Sequence, residues 1–264
     1  MSGPAMTMTR ETIMLAGIEI ELFERGSGTP LLFLHGAQGF MPSQPYVGLI
    51  GSRRRLIAPS HPGFGRSGLP LWLDSIDDIA HLYLELMDRK GLDRVDVVGC
   101  SLGGWLAAEI ATKSPERIGK LVLVGPVGVK VGPPDKLDIP DIFAMSQDKL
   151  ARLIFHDLEK GRLDVASMSD EDLTTIARNR ETTALLTWEP WMHNPKLRHR
   201  LHRVSSPTLF IRGASDGLVG QSYVDGYAKL IRNAQVTTIA AAGHAPQLEQ
   251  PEEFARALIA FLEA

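Results

Sequence analysis

Cysteine is almost absent. Cys100 is the only one in 264 residues, so no intrachain disulfide can close and no cysteine-based metal site is expected. Neither sign of charge dominates. Lys and Arg number 28 against 31 Asp and Glu, a formal net charge of -3, which leaves no basic footprint for a nucleic-acid partner. The one basic run, Arg53-Arg54-Arg55, directly precedes an apolar stretch and reads as a solvated approach to a strand. Long hydrophobic runs are missing as well. None nears the roughly 18 residues of a membrane-spanning helix, so no membrane partner is expected. The stretch Met1 to Arg10 has no charged segment followed by an apolar one, which argues against a secretory signal and leaves a cytoplasmic protein as the expectation. Met6 and Met8 are alternative starts. Internal repeats and low-complexity segments are also lacking.

What is present is a hydrophobic fraction of 44%, enough for a sizeable core. Thr12–Leu15 and Ile18–Phe23 read as a hairpin about Ala16-Gly17, the second strand alternating apolar and acidic residues as a half-exposed strand does. Leu31–Leu34 is continuously apolar, as a strand buried on both faces should be, and a loop with Gly39, Pro42, Pro45 and Gly48 follows it. Arg55–Pro59 is a fourth strand, followed by a segment too rich in Gly and Pro for regular structure. Asp74 or Ser75 can cap a helix over Ile76–Lys90. Val95–Val98, a helix from Leu102, then Ile118–Val124 continue the alternation. Pro207–Arg212 and Ala234–Ile239 resume it, with helices at about 221–231 and 251–262. Strands alternating with helices predict an α/β fold with a parallel sheet covered on both faces. Between Val127 and Val204 the pattern changes to short helical pieces, at 142–156, 170–186 and 195–201. The chain divides into a core, 11–126 and 205–264, and an inserted segment, 127–204.

Chemistry gathers at the ends of the apolar strands, where open α/β sheets hold their ligands. Gly99-Cys100-Ser101-Leu102-Gly103 is a G-x-S-x-G pattern between a strand and a helix. Asp216 follows the seventh strand and His244 the eighth. A serine hydroxyl is a poor nucleophile until a base takes its proton. An imidazole can take that proton and later return it, and a carboxylate fixes the imidazole tautomer.

With these residues in place the chain resembles the α/β-hydrolase family from about Ile13 to Leu262. The resemblance rests on Leu34-His35-Gly36, on His61-Pro62-Gly63-Phe64-Gly65-Arg66-Ser67 and on Gly99 to Gly104. It rests also on Gly213-Ala214-Ser215-Asp216, and on Ala242-Gly243-His244 with Glu249-Gln250-Pro251-Glu252-Glu253-Phe254 after it. It implies a mostly parallel eight-stranded sheet with helices on both faces and a helical cap at 127–204. Ser101, Asp216 and His244 would be catalytic, with the backbone N–H groups of Leu102 and Ala37 as the oxyanion hole and His35 orienting the Ala37 loop. Many relatives carry aspartate where His61 stands. His61 is read as structural, with a charge able to vary near the site. Serine at the elbow excludes the aspartate-dependent epoxide and halide branches, and Cys100 reads as a small buried side chain. Trp105, on the elbow helix, reads as packing.

A cap excludes water and shapes a pocket. Phe143, Met145, Phe155, Trp188, Trp191 and Met192 are the candidate lining residues, although apolar stripes more often bury against their own scaffold, here as cap core. An apolar pocket suggests an uncharged acyl group, so the reading is a serine hydrolase of carboxylic esters acting on a small-molecule substrate without cofactor or metal. The alternative is hydrolysis of a carbon–carbon bond in a diketo acid, with Arg178 and Arg180 holding the substrate carboxylate, although Gly36-Ala37-Gln38-Gly39 lacks the Gly-Pro-Gly run associated with that branch. A non-catalytic small-ligand binder on the same fold is a further alternative, and perhydrolysis shares the same three residues. The sequence leaves the oligomeric state open. If Ser101 is the nucleophile, Ser101→Ala abolishes turnover of any ester or diketo acid the protein accepts and leaves its circular dichroism unchanged; an active Ser101→Ala protein would end the mechanism.

Overall fold

The computed structural model describes residues 7–161 and 164–264; Met1 to Met6, part of the amino-terminal stretch read above, lie outside the described residues. Eight strands form one sheet in the order β1-β2-β4-β3-β5-β6-β7-β8. They are β1 (Thr9–Leu15), β2 (Ile18–Arg25), β3 (Pro30–Leu34), β4 (Arg55–Pro59), β5 (Val95–Cys100), β6 (Ile118–Val124), β7 (Thr208–Gly213) and β8 (Ala234–Ile239). β2 runs antiparallel to β1 and β4, and every pairing from β4 to β8 is parallel. From β3 the chain moves outward to β4, then crosses back to place β5 on the other side of β3. That reversal opens a crevice at the carboxyl ends of β3 and β5, the place where such sheets bind ligands.

The continuous apolar runs are explained by cover on two faces. Leu32, Leu34, Val97, Leu121, Leu123 and Phe210 pack with α2 (Ile76–Arg89), α3 (Leu102–Lys113) and α6 (Gln221–Ala228). Their strand neighbours Leu31, Phe33, Val98, Val122, Leu209 and Ile211 pack with α1 (Pro45–Gly51) and α8 (Pro251–Glu263). Alternation along each strand divides one run between two cores. Ser75 rather than Asp74 caps α2, its hydroxyl accepting from the Asp78 amide at 3.2 Å.

The structure departs from the sequence reading in several places. α1 occupies part of what reads as a loop. Its Gly48 and Gly51 dilute the helical signal, yet Pro45 at the first turn marks a helix start and Tyr46, Val47 and Ile50 supply a buried face. The helix expected at 142–156 is confined to α4 (Gln147–Ile154), because the Asp141 carboxylate takes the amides of Phe143 and Ala144 into a local turn. The stretch expected as a helix at 195–201 is two 3-10 turns, Leu197–His199 and Leu201–Arg203, while α5 (Asp170–Thr187) forms as expected. Glu21, on the face of β2 read as half-exposed, is buried, where its carboxylate accepts from the Ser60 hydroxyl and the Arg66 amide and pairs with Arg10.

The basic run also differs from its reading. Arg54 is 6% exposed. Its guanidinium donates to Asp96 at 3.0 Å and to the Leu262 carbonyl at 2.9 Å, so it ties the start of β4 to β5 and to α8. A buried pair costs most when one partner is removed. Arg54→Ala removes the cation from Asp96 Oδ2 and leaves only the Lys120 amide on Oδ1. It is expected to destabilise the fold by about 3 kcal/mol, read as a lower urea midpoint, whereas the same change at exposed Arg53 should shift the midpoint little.

Candidate active site

β5 ends in a reversal that glycine alone permits. A Cβ on Gly99 would lie 2.2 Å from the Gly103 carbonyl oxygen, and one on Gly103 would lie 2.2 Å from that of Leu34. Between them Ser101 takes φ 52 and ψ -111, a conformation that costs a non-glycine residue on the order of 1–3 kcal/mol. The turn is held by the Ser101 amide donating to the Val124 carbonyl at 2.8 Å and by the Ser101 carbonyl accepting from Gly104 and Trp105. The serine side chain is thereby set at the N-terminus of α3.

The structure brings the three strand-end residues together. Ser101 Oγ lies 2.9 Å from His244 Nε2, and His244 Nδ1 lies 2.9 Å from Asp216 Oδ2. The other carboxylate oxygen of Asp216 accepts from the amides of Leu218 and Val219 at 3.0 and 2.8 Å. With Oδ1 saturated, Oδ2 is left to accept from Nδ1–H. That tautomer leaves the Nε2 lone pair facing the Ser101 hydroxyl. Such a chain can take a proton from the hydroxyl and return it.

Leu102 is the first residue of α3, where the amide has no partner within the helix. Across the crevice a Cβ on Gly36 would lie 3.3 Å from Ser101 Cβ, so the Gly36–Ala37 peptide passes directly beside the serine. The carbonyl of that peptide takes His35 Nδ1–H at 2.7 Å and the Gly39 amide at 3.0 Å. In a trans peptide a fixed carbonyl also fixes the opposed N–H, here that of Ala37. His35 Nε2 accepts from the His61 amide at 2.9 Å. The His61 ring donates from Nε2 to the His35 carbonyl and accepts from the Tyr83 hydroxyl at Nδ1. The two imidazoles stack with centroids 3.7 Å apart. Burial pushes His35 down to about 4, and burial, with the neighbouring His35, holds His61 well below the usual histidine value. Both rings are therefore neutral at pH 7, and the expectation that the charge of His61 varies near the site is corrected. Cys100 is buried, and burial pushes its thiol up, away from the reactive thiolate.

The candidate lining residues of the inserted segment separate. Phe143, Trp188 and Trp191 form one aromatic cluster with centroids 5.8–6.3 Å apart. Trp188 is 57% exposed, and the Trp191 indole donates to the Ile139 carbonyl. Met192, in contrast, belongs to the buried core, and Phe155 is buried beside Gly161. Met145 is half-buried ahead of α4. Trp105 is buried on α3, where it donates to Glu109. Arg178 is spent on the carbonyls of Gly65 and Ser67, and Arg180 is exposed, its guanidinium 5.6 Å from the Phe143 ring centroid. Beside Arg178, buried Asn179 donates to the Gln38 carbonyl at 3.0 Å and accepts from the Gly65 amide at 3.1 Å. Asn179 and Tyr83 escape a sequence reading because each acts through a segment distant in the chain.

The Alpha/beta hydrolase family pattern matches residues 31–257. The chain belongs to the α/β-hydrolase family. It is 28% identical to 2-hydroxymuconate semialdehyde hydrolase of Pseudomonas putida, across 95% of this chain and 92% of that one. It is 26% identical to 2-hydroxy-6-oxo-6-phenylhexa-2,4-dienoate hydrolase of Comamonas testosteroni, with 94% and 92% covered. Among solved structures it is similar to a meta-cleavage product hydrolase of Pseudomonas fluorescens, with TM-score 0.75, 22% identity and 96% and 97% coverage. A thermophilic esterase is similar to the same degree, with TM-score 0.73, 23% identity and 97% and 98% coverage. At these identities the two structures show the shared fold.

The neutral histidine pair gives a signed pH dependence. The folded value of His35, about 4, lies below the unfolded one near 6.5. Acid therefore protonates the unfolded chain first, and stability present above about pH 6.5 is lost as the pH falls toward about 4. Between neutral pH and about pH 5 the loss assigned to His35 is about 2 kcal/mol. In urea titrations His35→Asn should show a shallower decline than wild type; parallel declines would count against the assignment.

Proposed function

We propose that this family member is a serine-dependent hydrolase that cleaves the carbon–carbon bond beside the 6-oxo carbonyl, aldehyde or ketone, in a 2-hydroxy-6-oxo-dienoate type of acid. The hydrogen-bonded Ser101–His244–Asp216 chain carries the reaction type. Near end-to-end similarity to hydrolases of such acids supports the substrate class. In this reading the dienol first ketonises, its 2-hydroxyl proton passing to C5, so that a saturated carbon lies between the 2-oxo-enoate and the 6-oxo group. Ser101 Oγ then adds to the 6-oxo carbon as His244 Nε2 takes the hydroxyl proton, and the Leu102 and Ala37 amides hold the resulting oxyanion. The C–C bond then breaks. Its electron pair leaves as an enolate conjugated with the 2-oxo acid end and receives the proton from His244. Water, deprotonated by the same imidazole, hydrolyses the acyl-serine, so one substrate and one water give a carboxylic acid and a 2-hydroxydienoic acid. Asp216 orients His244 and stabilises the imidazolium.

Carboxylic ester hydrolysis is the second reading, and a specific observation favours it. Arg178, offered above as an anchor for a substrate carboxylate, is committed to the carbonyls of Gly65 and Ser67. The same addition, with an alkoxide as leaving group, serves an uncharged ester that needs no such anchor.

One purified sample decides between them. On the primary reading kcat/KM for 2-hydroxymuconate semialdehyde or its 6-phenyl analogue exceeds that for p-nitrophenyl acetate and butyrate. The reverse order installs the ester reading. Turnover of neither class, together with no phosphonate labelling of Ser101, would leave a ligand binder.

A further inference from the structure

A buried carboxylate outside the Ser101–His244–Asp216 chain joins the cap to the base. Glu249 ends the short helix α7 (Pro246–Glu249) and is 1% exposed. Its Oε2 accepts from the amide of Gly243, the residue before His244. Its Oε1 accepts from the amides of His156 and Asp157, each at 2.9 Å, in the cap segment after α4. The same segment reaches both catalytic loops by other bonds. The His244 amide donates to the Ile154 carbonyl at 2.6 Å, and the Gly217 amide, next to Asp216, donates to the Leu153 carbonyl at 2.9 Å. The His156 ring bonds the Ser215 hydroxyl at 2.8 Å. Contact is close enough to forbid a side chain, since a Cβ on Gly243 would lie 2.1 Å from the Ile154 carbonyl oxygen.

Three backbone N–H groups from two distant segments converge on Glu249, and only an acceptor without protons satisfies them together. An ionised carboxylate does so with charge-assisted bonds stronger than neutral ones. A glutamine amide would turn a donor toward at least one of them. We propose that Glu249 is a positioning residue that locks the cap segment 153–157 to the loop carrying His244, so that the base meets Ser101 in reactive geometry while that segment is seated. The cap is then a working part of the site rather than a cover over it. A displacement of about 1 Å at a reacting group can cost on the order of a hundredfold in rate, so a small slip of this segment is enough to matter.

The proposal rests on the reading of Ser101 as nucleophile and His244 as its base, and the test separates the two. The readout is the rate at which a fluorophosphonate labels Ser101, which needs the base but no knowledge of the substrate. A wild-type protein that resists labelling overturns both readings. With wild type labelled, Glu249→Gln is expected to slow labelling by about ten- to a hundredfold. Hydrogen exchange should quicken at 154–157 and 243–244 together while α2 and β5 stay protected. Should Glu249→Gln fail to fold, the cap end of the tie is cut by His156→Pro. That change deletes one donor to Glu249 and suits the extended backbone at Phe155, φ -112 and ψ 140. Its control, His156→Ala, loses the ring but keeps the N–H. The proline variant should label about tenfold more slowly than the alanine variant. Labelling at the wild-type rate in Glu249→Gln, equal rates in the two His156 variants, or exchange that rises evenly across the molecule would overturn the assignment of Glu249.

Discussion

At the end of β5 the chain turns back within contact distance of its own next turn and of β3. This close approach is the constraint on which the site depends. Gly99 and Gly103 have no room for a side chain, and the backbone between them is forced into a left-handed conformation at Ser101. Strain of this kind persists only where its surroundings over-determine it. Here the surroundings are the parallel neighbour β6, whose Val124 carbonyl holds the Ser101 amide, and the first turn of α3, whose amides of Gly104 and Trp105 hold the Ser101 carbonyl. The Ser101 hydroxyl is therefore placed by backbone geometry before any side chain acts on it.

The partners of Ser101 are held by a different means. His244 and Asp216 stand on loops, and loops position side chains only when something fixes them. For Asp216 the fixing groups are the amides of Leu218 and Val219. For the loop of His244 they are Glu249 and the cap carbonyl of Ile154. On the oxyanion side two neutral histidines do the same work. Their bonds run from the Tyr83 hydroxyl through His61 and His35 to the Gly36 carbonyl. In the proposed reaction an uncharged block here leaves the developing negative oxygen to fixed backbone dipoles.

Much of this was legible in the sequence. The strands β3, β5, β6 and β7 announce themselves because burial on both faces removes polar residues from them. Ser101, Asp216 and His244 announce themselves because polar residues at the ends of such strands are conspicuous. Other features were hidden for identifiable reasons. α1 carries two glycines in seven residues. Arg54 looks like any member of a basic run until Asp96 and the Leu262 carbonyl are placed around it. Met192 and Phe155 are buried apolar residues of the inserted segment, and composition does not distinguish a lining residue from one that packs against its own scaffold. Arg178 seemed free to hold a carboxylate, and two backbone carbonyls use it instead.

The sequence by itself determined the fold family and the residues on which the proposed reaction rests. An elbow serine, a carboxylate and an imidazole in chain order, each after an apolar strand, are legible through local chemistry and the period of the strands. Tertiary structure decided what depends on contacts between distant segments. It placed the Gly36–Ala37 peptide beside Ser101, kept His61 neutral and gave Glu249 to the His156–Asp157 segment and the loop of His244 at once. The reason is physical. A motif records which groups lie near one another along the chain, whereas a buried hydrogen bond between residue 156 and residue 249 exists only once the sheet has brought their loops to the same edge.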